Sequence, residues 1–317
     1  MPTDSHYNVV SVIIPCFNVE QYVQRALNSV LKQTYPRVEI ICVDNRSTDG
    51  TAQILADLKT VNKEIKLVSE LKQGASCARN AGIKVATGPW IQFLDADDYI
   101  APDKIAYQVE TASTSGILDE KGIVVGQKSW IKADGTTVVN KLSEDPWKDL
   151  IHGRLGDTCA NLWSKSALES IGGWDENRKS SQEIDLQFRL LKAGAMVVYD
   201  KKPLTIIYQR EEGSISASSA SENQKRVIHQ RLEIRKYIQQ STEIAHHLPF
   251  LDYFIYNNLR LLFFGSRKDF DAMYREVQDG TFDPTADIGI FGRIAALFYR
   301  MLGIRNYFKL VGTFKGK

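Results

Sequence analysis

The chain has little cysteine, no excess of either charge and no long apolar run, and each shortage closes off a class of protein. Its four cysteines, Cys16, Cys42, Cys77 and Cys159, form no C-x-x-C pair and stand beside no ligand-spaced histidine. That excludes a zinc or dithiol redox centre and leaves reduced, buried thiols in a cytoplasmic protein. A formal net charge of +2 makes no demand for nucleic acid as partner. No apolar stretch reaches the roughly 18 residues a membrane span needs. The opening MPTDSHYN lacks the basic start and apolar core of a secretory leader, so the expectation is a chain neither exported nor membrane-spanning. No G-x-G-x-x-G follows the first strand-like segment and no G-x-x-x-x-G-K-[ST] occurs, which removes the dinucleotide and P-loop readings.

What is present is a 317-residue chain of ordinary globular composition, enough for one large α/β domain plus an appendage. Val9–Ile14, Val38–Val43, Ile65–Val68 and Trp90–Leu94 are short β-branched or apolar runs, the first ending at Pro15. Between them lie helical patterns over about 19–33, from Ile54 to Leu58, and over about 76–86. Four strands alternating with three helices predict a mostly parallel sheet with helices on both faces. Buried parallel strands open at their carboxyl ends, so Asn18, Asp44 and Asp95, each just past such an end, are expected to converge.

The stretch Leu94-Asp95-Ala96-Asp97-Asp98-Tyr99 is the chemical centre of the sequence. Asp95 and Asp97 leave an extended chain on the same side, close enough to share a hard divalent cation, Mn²⁺ or Mg²⁺, with a diphosphate completing its shell. An acidic turn after a strand is the plain alternative. Asp44 is placed to accept hydrogen bonds from a base or a ribose. Arg79, ahead of Lys72, is the cation best positioned for the phosphates.

The run VSVIIPCFNVEQYVQRALNSVLKQTYPRVEIICVDNRSTDGT, followed by QGASCARNAGIKVATGPWIQFLDADDY, resembles the amino-terminal half of a family 2 glycosyltransferase with the GT-A fold, over about residues 8–215. The resemblance implies that Pro15, Phe17, Asn18 and Glu20 line a nucleotide pocket, and that Asp44 with Ser47 reads the base and ribose of a UDP-sugar. It puts Arg79 near the diphosphate. Asp97 is then the more direct metal ligand, Asp95 lies nearer the ribose or sugar, and Asp98 orients the site.

Farther on, GGWDENRKSSQEIDLQFRLLKAG resembles the segment that carries the family's catalytic base. The usual acidic pair reads Gln182-Glu183 here, which assigns the base to Glu183, with Asp185 as a supporting partner or replacement. Ser180-x-x-Glu183 also spells a capping box, in which Glu183 would only return to a backbone N–H. Trp147, Trp163 and Trp174 are either core or an aromatic wall for a sugar, and Arg210 lies in a Gly/Ser loop that related enzymes place near the diphosphate. The implied reaction is a single inverting displacement onto an acceptor hydroxyl. Two other readings stay open: a sugar nucleotidyltransferase, which would need a glycine-rich basic signature after the first strand, and a nucleotide-sugar binding module without activity, suggested by Gln182.

The organisation expected is a catalytic domain over 8–218, its nucleotide half at 8–100 and its acceptor half at 101–218, then a helical region over 219–317. Helical patterns cover about 222–240, 248–264, 269–279 and 288–302. Neither Q-x-x-R-W nor any tryptophan after Trp174 occurs, which argues against a processive synthase. The last thirty residues hold six Lys or Arg, no acid and many Ile, Leu and Phe. Such a segment either lies on a membrane surface, where a lipid-linked glycan acceptor would be met, or packs on the protein or on a second subunit.

Overall fold

A computed structural model describes residues 9–118, 120–131, 136–139, 141–178, 180–208, 220–286 and 292–315. The chain separates into two compact units, Met1–Glu212 and Gly213–Lys317.

The first unit is built on a seven-stranded sheet. Its amino-terminal part alternates β1 (Val10–Cys16), α1 (Val23–Leu31), β2 (Val38–Asp44), α2 (Thr51–Val61), β3 (Ile65–Ser69), α3 (Ala75–Val85) and β4 (Trp90–Phe93). β1 lies between β2 and β4, parallel to both, with Cys16 opposite Asp44 and Ile13 opposite Phe93. The β-branched run predicts this burial: Val10, Val12, Ile13 and Ile14 are all inaccessible. Pro15 does not end β1 as the sequence suggests. The pairing with β4 stops at Ile13, so the missing Pro15 N–H leaves no ladder bond unmade on that side. α1 begins at Val23 and not near Val19, because Val19 to Tyr22 form a turn in which the Val19 carbonyl accepts from the N–H groups of Tyr22 and Val23.

The chain continues through β5 (Tyr99–Ile100), α4 (Lys104–Thr114), β6 (Gly122–Val125), β7 (Lys128–Ile131), β8 (Thr137–Val139), α5 (Pro146–His152), β9 (Leu162–Ser164), α6 (Lys165–Ser170), α7 (Gln182–Lys192), β10 (Met196–Tyr199) and β11 (Thr205–Tyr208). The large sheet runs β10-β6-β9-β4-β1-β2-β3, parallel except at β9, which is antiparallel to both neighbours. A second sheet, β5-β11-β7-β8, accompanies it. β7 and β8 pair antiparallel, Ile131 opposite Thr137, while the turn expected at Asp134-Gly135 lies outside the described residues. All four cysteines are free thiols buried in this unit.

The second unit is helical: α8 (Ala220–Gln239), α9 (Leu248–Gly265), α10 (Arg267–Val277) and α11 (Arg293–Lys315), with a short 3₁₀ turn at Ala245–His247. Its core gathers Ile234, Ile255, Leu259, Phe263, Phe270 and Met273, with the fully buried Phe308 ring 5.1 Å from Phe263 and 5.9 Å from Phe270. Arg235 and Asp252, both buried, pair at 2.6 Å, so neither charge is left uncompensated. The last helix runs past the end of its sequence pattern: it breaks at Gly303 (φ 68°), a conformation glycine adopts without strain, and then continues to Lys315.

Candidate active site

Two loops at the carboxyl edge of the sheet form the floor on the β1–β2 side. Asn18 adopts a left-handed conformation (φ 50°), which an Asn tolerates better than most residues. It donates its N–H to Ser47 Oγ at 3.2 Å and accepts at Oδ1 from the Thr48 N–H at 2.8 Å. Glu20 accepts from the Gly50 N–H at 2.6 Å, and a Cβ at Gly50 would stand 2.7 Å from that carboxylate. Asn18 and Glu20 therefore fasten the loop after β1 to the loop after β2. Asp44 accepts from the Ser47 N–H at 3.3 Å, and Phe17 projects from the rim nearly half exposed. Pro15, in β1, lies opposite Val43.

Asn45 organises this side without a sequence motif to announce it. It is buried, donates to the carbonyls of Glu70 and Lys72 at 2.8 Å each, and accepts from the Gly74 N–H at 2.7 Å. The loops after β2 and β3 thus meet on one amide.

The turn after β4 carries the acids. Leu94 N–H pairs with the Ile13 carbonyl, which carries the chain past the sheet edge into Asp95. Asp95 Oδ1 receives Arg79 at 2.8 Å. Arg79 is buried, its guanidinium lies 4.6 Å over the Trp174 ring, and its other terminal nitrogen reaches Gln182 at 3.4 Å. Lys72 pairs with Glu176 at 2.7 Å. Asp97 is half-buried in the same turn, and Arg25 donates to its carbonyl. Asp98 is buried, and desolvation followed by the charges of Asp95, Asp97 and Asp157 pushes its carboxyl up to about 8. Cys159 donates to Asp98 at 3.6 Å and accepts from the Asp95 N–H at 3.2 Å. Burial and the surrounding acids raise the Cys159 thiol, so it stays protonated and is no thiolate ligand.

Asp95, Asp98 and Cys159 lie close enough to surround one ion. The donors that carry charge are carboxylates, and their mutual repulsion, expressed at Asp98, is what a hard divalent cation relieves. The set therefore fits Mn²⁺ or Mg²⁺ and not a thiolate metal.

Glu183 stands in the first turn of α7. Its carboxylate accepts from the Thr158 N–H at 2.8 Å and from the Thr158 hydroxyl. The capping box does not form: the N-cap is Ser181, which makes no cap hydrogen bond through its side chain, and Ser180 Oγ is buried without a hydrogen bond. Glu183 is held well above the usual carboxylate range by desolvation and by Asp157, with which it shares a proton. Asp157 is ion-paired to Lys128 from β7, which holds its carboxyl low, so the proton of the pair sits on Glu183. Arg79 feels the charges of both Asp95 and Glu183, so the acids of the β4 turn and of α7 face one shared cation.

Asp157, Thr158 and Lys128 were not legible as site residues, since they come from a stretch with no clear periodicity and from the second sheet. Four of the sequence candidates take other places. Trp163 is fully buried, packs edge-on against Phe93 and Trp174, and donates its indole N–H to the Thr158 carbonyl at 3.4 Å. Its ring is core beneath the site and not a platform for a sugar. Trp174 is core as well, and Trp147 packs against Phe188. Asp185 is buried between Arg178 at 3.2 Å and Arg189 at 2.8 Å, so it braces α7 and is not free to serve as a base. Arg210 lies outside the described residues.

Residues 11–159 match the family model described as Glycosyl transferase family 2. Among curated relatives, an uncharacterized glycosyltransferase of Rickettsia conorii is 29% identical over 235 residues, covering 70% of this chain and 37% of the relative. The chain thus spans well under half the length of that protein. Among solved structures, S. aureus TarS 1-349 in complex with UDP-GlcNAc superposes with a TM-score of 0.60 at 20% identity, over 97% of this chain and 92% of that one. The Pyrobaculum calidifontis mannosyltransferase PcManGT, in complex with GDP-Man and Mn²⁺, gives 0.58 at 19% identity, over 98% and 87%. At such identities these two structures speak for the fold. Residues 11–159 thus resemble glycosyl transferase family 2, and the fold of the chain is that of solved glycosyltransferases.

Proposed function

We propose that the protein is a metal-assisted, inverting glycosyltransferase that moves a sugar from a nucleotide sugar, a UDP-sugar by preference, to a hydroxyl of a glycan or lipid-linked acceptor in cell-surface polymer synthesis. The observation that carries this reading is the convergence on one buried arginine: Arg79 is bound to Asp95 and to Gln182, the neighbour of Glu183, and feels the charges of both acids.

The contacts support a role for each residue. The loops fastened by Asn18, Glu20, Asp44 and Ser47 hold the base and ribose, with Phe17 at the rim as a stacking surface. Asp97 and Asp95 hold the cation, which when bound supplies charge stabilisation for the departing diphosphate. Asp98, whose carboxyl is raised by burial and by its acidic neighbours, gives up its proton and turns to the cation beside Asp95 when the ion binds. Glu183 takes the proton of the acceptor hydroxyl. Thr158 fixes the carboxylate's orientation, while Asp157 raises its proton affinity toward that needed near neutral pH. A single displacement with one base on the acceptor side inverts the anomeric centre.

The nucleotidyltransferase reading lacks its glycine-rich basic loop, and a binding module would have no use for a raised carboxyl aimed at the acid cluster. Glu183→Gln tests the assignment. It should abolish sugar transfer, by about 10²-fold or more, while leaving UDP affinity within a factor of about two by calorimetry. Transfer that survives the substitution overturns the base assignment, and a chain that binds no nucleotide in the presence of Mn²⁺ overturns the reading as a whole.

A further inference from the structure

α11 has two faces with different partners. Ala296, Ile304 and Phe308 are buried in the helical unit, the Phe308 ring lying 5.1 Å from Tyr256. Ile294, Leu297, Phe298 and Met301, spaced as one helical stripe before the break at Gly303, are 74, 58, 42 and 71% exposed. An exposed apolar stripe of this size is an interaction surface and not ordinary scatter. Its occupant follows from charge. From residue 288 onward the chain holds six Lys or Arg and no Asp or Glu. Arg293, at the start of the stripe, and Lys309, beyond the break, are exposed. Arg300 and Arg305 reach back to Asp283 at 3.6 Å and Asp271 at 2.7 Å. A second copy docked by two-fold symmetry would set this basic segment against itself with no acid in it to answer. A bilayer with anionic headgroups offers hydrocarbon to the stripe and phosphate to the cations.

We propose that the outward face of α11 seats the protein on an anionic membrane surface, with Ile294, Leu297, Phe298 and Met301 entering the headgroup boundary. The helix lies in the plane of the interface, since no helix among the described residues is long and apolar enough to cross a membrane. The inference does not depend on sugar transfer.

The experiment is co-sedimentation of the full chain with vesicles of phosphatidylcholine alone and of phosphatidylcholine with phosphatidylglycerol, with no nucleotide or metal present. The protein should sediment with the anionic vesicles and less at high salt. Combining Leu297→Ser, Phe298→Ser and Met301→Ser should weaken partitioning at least about tenfold with an unchanged thermal melt, because these side chains lie outside the buried core. Lys309→Glu should weaken it about fivefold or more, on anionic vesicles only. Glu183→Gln should bind vesicles as the parent does, which separates this proposal from the catalytic one. A parent protein that stays in the supernatant with anionic vesicles, or a triple variant that sediments equally well, overturns the proposal. So does a triple variant that lowers the molar mass by light scattering with no vesicle binding by the parent, which assigns the face to a second copy.

Discussion

At the scale of single residues, the site is governed by carboxylates that hold protons at pH values where free ones do not. Glu183 keeps the proton it shares with Asp157 because Lys128 stabilises the charge on Asp157. Asp157→Asn removes the neighbouring charge that raises Glu183. The acid limb of the transfer rate against pH should then move to lower pH, whereas loss of a merely structural contact would scale the whole profile down without shifting it. Asp98 supplies a second prediction. Its folded value, about 8, is raised from the ordinary 3.8, so the native state binds a proton that the unfolded chain has released across that window. Its contribution to stability is complete below the lower value and lost as pH rises through the upper one. Glu183 is raised in the same sense, while Glu39 and Asp279, lowered to about 2, act only in acid. Lys104, lowered by burial to about 7, works in the opposite sense above that pH. The metal-free melting temperature should therefore fall between about pH 5 and pH 7, and Mn²⁺ should restore more of it at about pH 7 than at about pH 5. A metal-free melt that is flat across this range contradicts the burial of a protonated acid at Asp98.

At the scale of elements, α3 is held tightly against the central strand. A Cβ at Gly82 would collide with Ile13 Cγ2 and stand 3.1 Å from its Cδ1, so the helix and β1 approach more closely than any side chain allows. Gly82→Ala gains helix propensity but forces the two apart, a cost of about 1–3 kcal/mol by the usual penalty for overpacking. Arg79 lies nearly one turn earlier on the same helix. The variant should therefore lower the denaturation midpoint and also weaken nucleotide-sugar affinity, both measurable in one set of urea and calorimetric titrations. The strands and helices around this contact were legible because their patterns are local: β-branched runs for β1 and β2, glycine and proline at the ends. β9 was not, since three residues in a stretch without periodicity give no signal, and its antiparallel place between β4 and β6 is decided by what the neighbouring strands leave open.

At the scale of the whole molecule, the reading requires a donor that binds with its cation. At a concentration about 100 times the dissociation constant, the matching nucleotide sugar should stabilise the chain by about 2.7 kcal/mol, seen as a rise in melting temperature with Mn²⁺ and abolished by chelator. If UDP-sugars and GDP-mannose shift the melt equally, the pocket does not discriminate bases as proposed for Asp44 and Ser47. The basic, apolar composition of the last thirty residues was readable from the chain, but its two uses were not: a one-dimensional pattern shows that a helix has an apolar side, and only packing shows that Phe308 is inside while Met301 is out.

The sequence alone determined the elements that local chemistry dictates: the parallel strands, the acidic turn that ends the fourth of them, the glutamate heading α7 and the helical character of the second unit. Tertiary structure decided which side chains meet. It tied Arg79 to Asp95 and Gln182, made Trp163 core, locked Asp185 between two arginines and brought Asp157, Thr158 and Lys128 to Glu183. The reason is physical: propensity and periodicity act over a few neighbouring residues, whereas burial, charge pairing and proton sharing depend on distances through space that no short stretch of chain encodes.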